Sequence, residues 1–287
     1  MKLDKNTILF NAGGGLAVLI VAAYFVKTNV FPEKAPPCST TDYPAVTMLP
    51  LERTDGELFT AADVQARLAG RDHGVIDYSK VIRVRNVKTP VLEVSLPKGS
   101  LSPKHTAPSK GGVSFQWRPT GMDKAKSACL SYQIWLPVDF DFKKGGTLPG
   151  LYGAIDGNHN NDDKTQFAGR FMWREGGALE LVSTLPNANG EPRTVSMDPD
   201  FFRLPVLRWT SVEQEIVLNT LGKKDGMIRV WMNGELVVNR TQLELSNSDS
   251  VLLAGVQADV YYGGSDSSFS SPKDTSVRLT QFEVRTR

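Results

Sequence analysis

The chain has 287 residues and a formal net charge of +2. That length holds one large β domain or two ordinary domains. A charge so near zero, with basic residues scattered among acids, gives no footing for nucleic-acid binding.

Ile8 to Val26 is apolar apart from Asn11 and comes after Lys2 and Lys5. The stretch is close to the ~20 residues a membrane helix needs, and the preceding lysines favour a cytoplasmic N-terminus. It reads as an uncleaved signal anchor, with a cleaved signal peptide as the alternative. Either one exports the rest of the chain to the periplasmic or extracellular side. Residues 1–27 are therefore expected to form a cytoplasmic tip and transmembrane helix, partnered by the membrane. Lys27 to Leu51 carries five prolines, and residues 28–74 read as a semi-rigid spacer with one short helix. That helix is placed at Thr60 to Ala69, where Thr60 caps and Asp63 sits three residues on.

From residue 75 to 287 the texture is β. Pro90 to Leu96, Gly112 to Trp117 and Ala128 to Leu136 come first, then Phe167 to Thr184, Trp209 to Leu218, Gly226 to Asn239, Val251 to Tyr262 and Ser276 to Val284. Many strands with turns between them predict an all-β sandwich or barrel. Strand alternation puts Phe167, Gly169, Phe171 and Trp173 on one face, and Ala168, Arg170, Met172 and Arg174 on the other. It also separates Tyr261 from Tyr262, so one of the two belongs to the core. Met232-Asn233-Gly234-Glu235 suits a type I′ hairpin. Cys38 and Cys129 form a disulfide in an exported protein, or are two unrelated thiols. No Cys/His cluster points to a metal, and no cofactor is implied.

Four segments carry a resemblance: L-S-Y-Q-I-W-L-P-V-D-F-D-F (130–142), G-G-T-L-P-G-L-Y-G (145–153), G-R-F-M-W-R-E-G-G (169–177) and Y-Y-G-G-S-D-S-S-F-S-S-P-K-D (261–274). In this order they resemble polysaccharide lyase family 14, over roughly Val81 to Val284. The resemblance implies a jelly-roll sandwich of concanavalin-like type with a concave groove. It also implies an alginate- or glucuronan-type substrate and cleavage by β-elimination. That reaction needs a group to hold the uronate carboxylate, a base for the C5 proton and an acid for the leaving oxygen. The family's turn lysine falls on Thr147 and its serine on Ala168. Its tyrosine pair falls on Val182 and Thr184, and only its arginine is retained, as Arg170. Thr147 is a poor base and Val182 cannot carry a proton.

Arg170 is thus the leading ligand contact, able to grip a carboxylate with its planar fork; the alternative is an ion pair with an acid such as Glu180. Gln133, Trp135, Tyr152, His159 and Tyr262 are further candidates for lining the groove, His159 as a loop base. Lys144 is a remoter substitute for the missing lysine. Three functions remain open on this reading. One is a binder of acidic polysaccharide that has lost lyase chemistry. Another is an active lyase with a rearranged site. The last is a structural component of envelope polysaccharide machinery.

Overall fold

The protein is seen as a computed structural model that describes residues 35–104, 110–155, 165–186, 191–264 and 266–287. It is an all-β sandwich of two antiparallel sheets. In chain order the elements are β1 (Ala45–Met48), α1 (Ala61–Gln65), β2 (Ala69–His73), α2 (Val75–Tyr78), β3 (Ser79–Ile82), β4 (Val91–Leu96), β5 (Val113–Trp117), β6 (Ser127–Trp135), β7 (Gly146–Ile155), β8 (Thr165–Trp173), β9 (Ala178–Pro186), β10 (Pro192–Arg203), β11 (Thr210–Val217), β12 (Gly226–Met232), β13 (Glu235–Leu243), β14 (Val251–Tyr262), β15 (Thr275–Thr280) and β16 (Glu283–Thr286).

One sheet runs β13-β12-β11-β6-β15-β4-β3, with β16 joining β6 to β1, for nine strands. The other runs β10-β9-β8-β7-β14-β5-β2, for seven. Apolar residues on the inner faces meet between the layers: Leu130, Tyr132 and Ile134 from β6, Phe167, Phe171 and Trp173 from β8, and Val256, Ala258 and Val260 from β14. This is the alternation expected of sheets that each bury one face. The β12–β13 hairpin turns on Asn233 (φ 53°) and Gly234 (φ 80°), both left-handed as a type I′ turn requires.

The glycine-rich run of β7 is a packing motif. A Cβ on Gly146 would lie 2.0 Å from the Trp173 ring, and one on Gly150 would lie 1.9 Å from the Gly169 carbonyl. The β7–β8 register slips between Leu148 and Leu151, where Pro149 has no N–H to give. Groups from the opposite sheet complete the bonding there. The Tyr132 hydroxyl donates to the Pro149 carbonyl at 2.8 Å. Fully buried Gln214 accepts from the Leu151 N–H at 2.7 Å and donates to the Gly169 carbonyl at 2.6 Å. A buried backbone group left without such a partner is costly, so this amide pins the two layers together beside Arg170.

Two sequence expectations are corrected. The spacer assigned to residues 28–74 is, from Pro37 onward, part of one compact unit that runs to Arg287. Three features bind it there. Cys38 and Cys129 form a disulfide, β1 pairs with β16, and Leu49, Leu51, Phe59 and Val64 enter the main core. Pro37, Pro44 and Pro50 punctuate a strap laid over the sandwich, with buried Cys38, Tyr43 and Leu49 lying between them. The helix is also shorter than expected. Thr60 and Asp63 make the reciprocal cap, but from Ala69 the chain pairs with β5 as β2. No helix among the described residues is long and apolar enough to cross a membrane. The expected anchor, residues 8–26, lies outside the described residues.

Candidate functional site

The outer face of the seven-stranded sheet carries Arg170. Cross-strand register gathers the positions singled out from the sequence around it. Arg170 lies opposite Val182, and Ala168 lies opposite Thr184 on β9 and Tyr152 on β7. Thr147 lies opposite Met172 on one side and Tyr261 on the other. Tyr152, Ala154 and Ala168 form a small apolar cluster separate from the main core, as expected of residues on the far side of the sheet.

A continuous polar network crosses this face. The Arg170 guanidinium donates to Asp259 at 2.6 Å; its side chain is 29% exposed and that of Asp259 only 3%. The other Asp259 oxygen accepts from the Ser114 hydroxyl at 2.6 Å and from the Gln257 amide at 3.0 Å. Gln116 donates to Gln257 at 2.9 Å and accepts from the Tyr152 hydroxyl at 3.0 Å, while Arg118 reaches that hydroxyl at 3.0 Å. Three donors on one buried carboxylate satisfy the requirement for burying a charge. The Tyr261 phenol sits by this network. Burial first and the Asp259 charge second push its pKa up to about 12, so it stays protonated at neutral pH.

Arg170 therefore has an acidic partner, but it is Asp259. Glu180 is taken by Arg174 at 2.5 Å, which makes Arg174 one half of an ion pair. Ser114, Gln116, Gln257 and Asp259 were missed from the sequence. Their signal was present in V-S-F-Q-W (113–117) and V-Q-A-D-V (256–260), where two polar residues alternate with apolar ones and so share the face of Arg170.

Three candidates are corrected. Gln133 and Trp135 do face outward, but β6 belongs to the nine-stranded sheet, so the core separates them from Arg170. Trp135 there packs under the Arg278 guanidinium, 4.5 Å from its ring centroid. Tyr262 is wholly buried. Its ring stacks on Phe140 and meets Trp173 edge-on, its hydroxyl donates to the Asp141 carbonyl, and burial raises its pKa. Lys144 donates to the Ser268 hydroxyl at 2.6 Å. His159 lies outside the described residues.

The family profile described as "Polysaccharide lyase 14" matches residues 84–282. The chain belongs to polysaccharide lyase family 14. Solved structures agree with this family fold. The marine PL-14 alginate lyase from Aplysia kurodai is 25% identical with a TM-score of 0.66, over 76% of this chain and 90% of that one. The alginate lyase vAL-1 from Chlorella virus is 20% identical with a TM-score of 0.64, over 77% and 94%. The alginate lyase Aly36B, a variant of which was solved with an alginate tetrasaccharide, is 17% identical with a TM-score of 0.59, over 85% and 97%. No curated protein sequence matches the chain. On the face described above, Arg170 stands with Thr147, Ala168, Val182 and Thr184 around it.

Proposed function

We propose that this domain binds a uronate-containing polysaccharide along the outer face of its seven-stranded sheet, in the groove of the family's jelly roll, without performing β-elimination. One observation carries the reading. Arg170 gives one N–H to Asp259 and, among the described residues, keeps the rest of its fork for a second carboxylate. The side chains at 147, 168, 182 and 184 include no group that moves a proton near neutral pH. A guanidinium that holds the carboxylate binds the polymer, but elimination also needs a base and an acid.

The test presents alginate, glucuronan and other uronate polymers to the protein. Binding and the ultraviolet absorbance of unsaturated product are read together. Binding without product supports the proposal, and steady accumulation of product contradicts it.

A second reading, an active lyase with a rearranged site, has one observation in its favour. Tyr152 and Tyr261 bring two phenols to the face of Arg170. A phenol held protonated serves as an acid and leaves the base unassigned. Product that disappears in Tyr261→Phe would establish this reading.

The proposal places the domain outside the cytoplasm, anchored through residues 8–26 and beside envelope polysaccharide machinery. The Cys38–Cys129 bond supports the compartment, since such bonds persist where conditions are oxidising. Protease cleavage of the domain on intact cells or spheroplasts tests it; complete protection would place the domain inside.

A further inference from the structure

The opposite face of the sandwich holds a cavity of about 490 Å³. Its floor is the outer side of the nine-stranded sheet, in a row fixed by register: Glu283 on β16, Ser131 on β6 and Glu213 on β11 are successive cross-strand neighbours. Gln133 and half-buried Trp209 line it, and Lys88 stands in the loop between β3 and β4. The strap forms another wall, for the Ser39 N–H donates to the Glu213 carboxylate at 3.0 Å, one residue from the disulfide.

We propose that this cavity is a second saccharide site and that it takes an uncharged sugar. Three features converge on that ligand. The Trp209 ring offers a flat apolar surface for the C–H face of a pyranose. The floor sets acceptors and donors within reach of ring hydroxyls: the exposed Gln133 amide and the Glu213 and Glu283 carboxylates; the Ser131 hydroxyl between these two carboxylates is buried and has no hydrogen-bond partner among the described residues. Charge decides the class of sugar. The lining carries two carboxylates, Glu213 and Glu283, and one cation, Lys88, and Arg285 pairs with Glu283 at 2.6 Å, so no surplus positive charge attracts a uronate. The preference is thus opposite to that of the Arg170 face and independent of it.

The experiment titrates the full-length protein calorimetrically with hexasaccharides of β-1,4-linked glucose, mannose, xylose and N-acetylglucosamine. At least one binds. Trp209→Ala weakens it about tenfold or more, while Trp209→Phe, which keeps a ring, stays within about threefold. Replacing Arg170 and Asp259 together changes nothing at this site, and an oligouronate does not compete. The proposal is overturned if none of the four probes binds, if Trp209→Ala binds as the wild type does, or if the oligouronate displaces the bound probe.

Discussion

Replacing Gln214 with methionine keeps the side chain's length and volume and removes both of its inter-sheet hydrogen bonds. The Leu151 N–H and the Gly169 carbonyl would each lose a partner inside the sandwich. A buried backbone group without its partner costs about 1–3 kcal/mol, so the pair loses roughly 2–6 kcal/mol. Exchanging a buried amide for a thioether returns about 1 kcal/mol of that. The expected destabilisation is about 3 kcal/mol. Urea unfolding should show it as a lower midpoint at unchanged slope, because the surface exposed on unfolding is the same. Amide exchange localises it: the Leu151 N–H, protected in the wild type, should exchange faster in the variant, while strands far from β7 slow or quicken only with global stability. A loss below about 1 kcal/mol with Leu151 still protected would refute the reasoning. It would mean that the slipped β7–β8 ladder satisfies itself.

Replacing Cys38 and Cys129 with serine opens a closure between residues 91 apart, worth about 4.6 kcal/mol in chain entropy; thermal unfolding should fall accordingly, and a reducing agent should reproduce the fall in the wild type but not in the variant. Glu93 supplies a pH signature. Burial opposes its charge, but Arg278 at 2.6 Å and Lys80 at 3.0 Å hold its carboxyl below the usual range. A folded-state pKa below the unfolded value gives stability above the unfolded pKa that is lost as pH falls through the folded one. The deficit of Glu93→Gln, measured by unfolding, should therefore be full at pH 7 and shrink below about pH 4.5; a deficit independent of pH would refute the assignment.

Strand pattern, hairpin and face were legible because each depends on neighbours in the chain. Alternation alone separated Phe171 from Arg170 and Tyr262 from Tyr261. Sheet membership was not legible, because period 2 says which way a side chain points and not which layer its strand joins. Gln133 and Trp135 point outward as expected, but from the sheet that does not hold Arg170. The strap was misread for a related reason. Five prolines advertise an extended chain, and only the distant Cys129 and β16 show that the chain is stapled down. Asp259 escaped notice because its role is set by register with β5 and proximity to Arg170, which no local pattern encodes.

The central claim is that Arg170 receives a uronate carboxylate with a fork that Asp259 only partly occupies. Asp259→Asn removes the competing charge and leaves an amide of the same size; adding Arg170→Met then removes the guanidinium without stranding a buried carboxylate. Affinity for an alginate oligosaccharide, measured calorimetrically across the wild type and these two variants, tests the claim directly. The account predicts tighter binding for Asp259→Asn, and for the double variant a loss of roughly 10- to 150-fold, the 1.5–3 kcal/mol of a hydrogen bond to a charged group. Equal affinity in all three proteins would contradict it.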